Sequence, residues 1–154
     1  MNPARLFALS LAALLVALAG CGNSPKTVTK AQYQAQLAKS GQAVTIAGQQ
    51  LGKVITIAEF NSAVTDLQKA LRDGEKNLNG VQPPANARAA NKRLAQAFGD
   101  LADALEAVKE ARRVSIVKAR QALGDLGKTD AIKEGRAAIK DLDRLGYSAS
   151  GAAP

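Results

Sequence analysis

Apolar positions recur along most of this chain in alternating steps of four and three. Tyr33, Leu37, Ser40, Val44, Ala47, Leu51 and Val54 make the first such run. A 3.5-residue repeat places these side chains on one face of a helix, in the manner of a coiled coil. Thr29-Lys30-Ala31-Gln32 precedes it and fits a capping box, the hydroxyl and the Gln carbonyl each satisfying an orphan amide. Gly41, Gly48 and Gly52 fall inside the same run. Each costs about 1 kcal/mol relative to alanine, so they mark either close helix contact or a weak helix.

Thr56-Ile57-Ala58-Glu59 is a second capping box, which turns the chain near Lys53–Ile55. Ile57, Phe60, Val64, Leu67, Leu71 and Leu78 continue the alternation, with Gly74 filling one slot, until Asn79-Gly80 ends the helix. Pro83-Pro84 forbids continuation and pre-sets the first turn of a third helix. Its stripe is Leu94, Phe98, Leu101, Leu105 and Val108; the register then sets Arg112 and Ser115 on the apolar face before Ala119, Ala122 and Leu126 resume it. Unbroken, this helix would run about 40 residues, or roughly 60 Å. It either overshoots its partners or bends near Arg112–Val117, and a continuous bent helix is the expectation. A turn is predicted over Gly124 to Lys128. The last helix starts at Thr129 or Asp130 and turns Ala131, Ile132, Gly135, Ile139 and Leu142 inward. Gly146 caps it and Tyr147 folds back on its end. The predicted body, 29–147, is all-α: an up-and-down antiparallel bundle of about four helices, followed by a disordered tail over 148–154.

The first 28 residues do not share this pattern. Leu6–Ala19 is apolar apart from Ser10 and follows a short start carrying Arg5. About 14 residues span roughly 21 Å as a helix, short of the ~30 Å hydrocarbon core. The basic start and the abrupt polar exit make this the apolar core of a signal peptide over 1–20. Two cleavage sites compete with an uncleaved anchor. Ala17-Leu18-Ala19 would release a soluble chain beginning at Gly20. Leu18-Ala19-Gly20-Cys21, in contrast, resembles the bacterial lipobox at all its positions. That resemblance implies a bacterial lipoprotein precursor cut between Gly20 and Cys21. Cys21, the only cysteine, would then carry diacylglycerol and an acyl chain such as palmitate. Gly22–Val28 would be a polar tether reaching at most about 25 Å, holding the body at the outer face of the cell membrane. Gly22 stands where diderm bacteria place the aspartate that retains a lipoprotein at the inner membrane, and that signal is absent here. The ending Leu142 to Tyr147, an L-x-x-L-G-Y pattern, with the Pro-Pro-initiated third helix, resembles small helical bacterial lipoproteins; the likeness implies no activity.

Composition narrows the chemistry. Hydrophobic residues make up 47% of the chain but aromatics only 3%, with no tryptophan, so alanine and aliphatic side chains must build the core. The net charge is +8, or +7 once the leader removes Arg5. With no histidine and the single cysteine consumed by lipid, the usual zinc, copper, iron and haem ligands are missing, as is any Ser-His or Cys-His nucleophile. No cofactor beyond the covalent lipid is expected. Asp100, Asp103, Glu106 and Glu110 form a carboxylate ridge of calcium-binding or hydrolase type, read here as a solvated face paired with Lys109 and Arg113.

The cations are more ordered. Lys133, Lys140 and Arg144, with Arg136 beside them, share an arc opposite the apolar face of the last helix; Lys109, Arg113 and Arg120 line up next to Arg112 on the third. These stripes are candidate contacts for anionic lipid, wall polymer or an envelope protein. Nucleic acid is not expected, because no aromatics interleave the bases and export removes the protein from it. Tyr33, Phe60 and Phe98 are read as core, with a ligand slot between helices as the alternative. The expected role is a non-catalytic binding or structural module of the cell envelope; the alternative is a carrier or sensor holding a small apolar ligand between helices.

Overall fold

The computed structural model describes residues 26–54 and 56–148. The expected signal peptide, the cleavage site at Gly20 and Cys21, and the tail after Ser148 lie outside the described residues. The body is an all-α bundle, as the apolar pattern predicts. Its helices are α1 (Lys30–Gly52), α2 (Ile57–Asn79), α3 (Arg88–Val114), α4 (Ile116–Leu126) and α5 (Asp130–Arg144). Both capping boxes form. Thr29 Oγ1 accepts from Gln32 N at 3.2 Å while Gln32 Oε1 accepts from Thr29 N at 2.9 Å. Thr56 and Glu59 repeat the exchange at 3.2 and 2.8 Å. After Pro84 a single 3-10 turn, Ala85–Ala87, leads into α3.

The expected continuous third helix is interrupted. Ser115 is extended, with φ −165° and ψ 158°, and its Oγ accepts from Lys118 N at 3.1 Å. The chain thus leaves one helix and caps the next at a single residue. A straight continuation would put Leu126 roughly 30 Å beyond Leu105, yet both line the same cleft. α4 therefore runs back along α3. α5 continues in that direction, since Arg93 pairs with Asp141 and Asn86 with Tyr147. Gly124, expected in a turn, lies inside α4, and the turn is confined to 127–129. The outcome is four antiparallel arms, the fourth made of α4 and α5 end to end. Arg112 and Ser115 marked the end of an apolar face rather than an overshoot.

Alternating burial follows the stripes. Leu37, Leu78, Leu94, Leu105 and Leu142 are fully enclosed, and Phe98 lies against Gly74, whose missing side chain leaves room for the ring. A β-carbon at Gly74 would sit 2.7 Å from that ring. Tyr33 and Asn91 join three helices. The Tyr33 hydroxyl donates to Asn91 Oδ1 at 3.0 Å, and Asn91 Nδ2 donates to the Leu78 carbonyl at 3.1 Å. Buried polar groups of this kind are tolerated when each finds its partner.

One end of the bundle is closed by its own termini. Gly146, at φ 77°, supplies the left-handed residue that ends α5. Tyr147 then turns back, its ring edge-on to Tyr33 at 5.3 Å and its hydroxyl donating to Asn86 at 2.9 Å. Beside it, β1 (Lys26–Thr27) pairs in parallel with β2 (Val81–Gln82), and Val28 N donates to the Gln82 carbonyl at 3.2 Å. The predicted tether over Gly22–Val28 is therefore shorter than expected, because its last residues are hydrogen-bonded to the α2–α3 connection.

Candidate functional site

α1 packs on α2, α2 on α3, and α3 on both α4 and α5, whereas α1 scarcely meets the fourth arm. That unclosed seam is a cleft of about 490 Å³, open to solvent. Val44 lines it from α1, Leu67 and Leu71 from α2, and Leu101 and Leu105 from α3. Leu123, Leu126 and Ile132 complete it from the fourth arm. The wall is aliphatic throughout, and polar side chains enter only at Thr45 and Gln49. The cause lies in α1. Where a fourth stripe would need a large apolar residue to meet Leu126 and Ile132, this helix offers Gly48, and nothing stands within 4 Å of the β-carbon it lacks. The volume falls within the ~300–1,000 Å³ of small-molecule pockets, and the apolar wall with few polar groups has their character.

Tyr33, Phe60 and Phe98 are core, as expected, and the alternative slot between them is not formed. All three are buried, at 0%, 3% and 1% exposure, but at different levels of the bundle. Tyr33 sits by Asn91, Phe98 one level up against Gly74, and Phe60 by Arg112. Along α3 those levels are about 10 and 20 Å apart. Val44, Leu67, Leu71, Leu101, Leu105, Leu126 and Ile132 were legible as stripe members, whereas Thr45, Gly48, Gln49, Leu123 and Gly127 were not. That they line a void and not a packed seam was hinted at only by the thin apolar face of α1 around Gly48.

The basic stripes fare unevenly. Lys133, Arg136, Lys140 and Arg144 all lie on the exposed face of α5, opposite buried Gly135, Ala138 and Leu142. Two of them are engaged within the helix: Lys133 with Asp130 at 2.9 Å and Arg144 with Asp141 at 3.3 Å. On the other stripe, Lys109 and Arg113 are neighbours on α3, but Arg120 belongs to α4 and points along a reversed arm. Lys109 reaches Gln68 on α2 and Glu106 on its own helix. Arg113 pairs with Glu110 at 3.1 Å.

Three of the four ridge carboxylates, Asp103, Glu106 and Glu110, are taken up by such pairs, and Asp100 is exposed. Asp103 meets Arg72 of α2, and Glu106 accepts from Gln68 at 2.6 Å. The hydrogen bonds from Gln68 and Lys109 hold the Glu106 carboxyl below its ordinary range, so it stays ionised. Among the described residues no group of three or more His, Cys, Asp or Glu is placed to hold a metal ion, and no helix is long and apolar enough to cross a membrane. Comparison with protein-family models, with curated proteins and with solved structures gives no match. The functional reading therefore rests on the geometry of this chain.

Proposed function

We propose that this chain is a lipid-anchored binding protein of the cell envelope, non-catalytic, that carries an aliphatic ligand in the cleft between α1 and the α4–α5 arm. The observation that supports the carrier reading is the cleft itself: about 490 Å³ walled by leucine, valine and isoleucine and left open because Gly48 fills nothing. A solvent-facing aliphatic surface of that extent favours an apolar occupant, since covering it removes apolar area from water at roughly 25 cal/mol per Å². The lack of aromatic rings in the wall favours a flexible chain, such as a fatty acyl or isoprenoid tail, over a flat ring system. Anchoring is supported by the sequence of residues 18–21 and by the ladder at Lys26–Thr27, which leaves Cys21 within about 18 Å of the body even at full extension.

A fatty acid bearing a photoactivatable diazirine tests the reading in envelopes that contain the full chain. Label is expected in the peptides carrying Val44 to Gln49 and Leu123 to Ile132. Gly48→Leu, which has open space to grow into, should fill the mouth and cut labelling at least about fivefold while leaving the fold intact. Equal labelling of the variant, or label spread over the α5 outer face, would contradict a site in this cleft.

A further inference from the structure

A second hollow, of about 380 Å³, lies in the groove between the start of α2 and the end of α3. Phe60 and Val64 form an apolar floor, Asn61 stands at the rim, and Lys109, Arg112 and Arg113 enter from α3. Among the described residues no carboxylate lines it. Lys109 and Arg113 are balanced by Glu106 and Glu110 on their own helix. Among the described residues Arg112 has no such partner: it is half-buried, makes no ion pair with them, and its Nε is enclosed with no hydrogen-bond acceptor among them. An enclosed donor left without an acceptor carries the full cost of its lost hydration. The position suits a cation, because the last turn of α3 presents the negative end of the helix dipole. An oxyanion in the hollow would offset that charge through the outer edge of the guanidinium, the Nε itself being closed to solvent.

We propose that this hollow binds a small molecule with an oxyanion head, carboxylate or phosphate monoester, on an apolar group. Arg112 supplies the guanidinium fork for two parallel hydrogen bonds. Lys109 adds charge, and the Asn61 amide is a neutral donor at the rim. Thr65 contributes no donor, because its hydroxyl proton is already given to the Asn61 carbonyl at 2.9 Å. The apolar substituent lies on Phe60 and Val64. The site shares no residue with the aliphatic cleft, so its fate is independent of the carrier reading.

Phenyl phosphate, benzoate and inorganic phosphate, titrated calorimetrically into the full chain, form the test. Phenyl phosphate and benzoate should each bind saturably at one site, and inorganic phosphate at least several-fold more weakly than phenyl phosphate for want of the floor. Arg112→Gln should weaken phenyl phosphate at least about tenfold, and Arg112→Lys, which keeps the charge without the fork, should recover only part of it. Lys92→Gln, an exposed cation near the start of α3, should bind as the native chain does. The melting temperature of Arg112→Gln should equal or exceed that of the native chain, which separates lost binding from lost fold. Failure of phenyl phosphate to saturate, equal losses in Arg112→Gln and Lys92→Gln, or equal affinity for inorganic phosphate would each overturn the site.

Discussion

Tyr33 is fully enclosed and hydrogen-bonded to Asn91, and its environment governs how the body responds to alkali. Burial, reinforced by the neighbouring Tyr147 phenol, pushes its ionisation well above the ordinary phenol value. The folded chain thus keeps this proton where the unfolded chain would lose it. The stabilisation is fully present below the ordinary phenol pKa of about 10 and is lost as pH rises beyond it. Urea midpoints followed by circular dichroism should hold steady from pH 7 to 9 and fall above pH 10. Tyr33→Phe, which leaves Asn91 Oδ1 without its donor, should cost about 1–3 kcal/mol at pH 8. The gap between variant and native chain should narrow by pH 11; a constant gap would remove Tyr33 from the alkaline response.

At the scale of elements, the break at Ser115 decides the architecture. Without it α3 and α4 would form one rod and the cleft would have no fourth wall. The Ser115 hydroxyl caps α4 at 3.1 Å. Ser115→Ala should destabilise the body by about 1 kcal/mol, with amide exchange quickened in 116–126 and unchanged in α2. Uniform quickening would show that α4 has no stability of its own to lose. This break was the least legible feature of the sequence. Thr29 and Thr56 announce their helices because each is followed three residues later by Gln or Glu, so two hydrogen bonds specify the start. Ser115 is followed by Lys118, which cannot reciprocate, and no glycine or proline lies between Gly99 and Gly124 to mark the break. Only Arg112 and Ser115 on an otherwise apolar stripe signalled that the face had ended. The cleft was hidden for a related reason. A stripe reports which side chains face inward, not whether the opposing arm reaches them, and Val44, Leu67 and Leu105 read alike whether packed or facing a void.

For the whole molecule, the termini fix an orientation under the proposed anchor. Lys26–Thr27, Tyr147 and the Val81–Gln82 connection gather at one end of the bundle, while Arg112 and Phe60 lie at the other, roughly 40 Å away along α3. A lipidated Cys21 would hold the first end at the membrane and turn the basic hollow outward. The aliphatic cleft between them would open sideways. Under that anchor, basic side chains on the outer face of α5, some already paired within the helix, would add only general attraction to anionic lipid, screened beyond a Debye length of about 8 Å. Native mass spectrometry of the protein drawn from its own envelope reads both halves of this account at once. The predicted species is a chain beginning at Cys21, heavier by its acyl lipid, that also sheds a non-covalent aliphatic molecule on gentle activation. A chain with its leader intact and its sulfur bare, arriving with no adduct, would contradict the account.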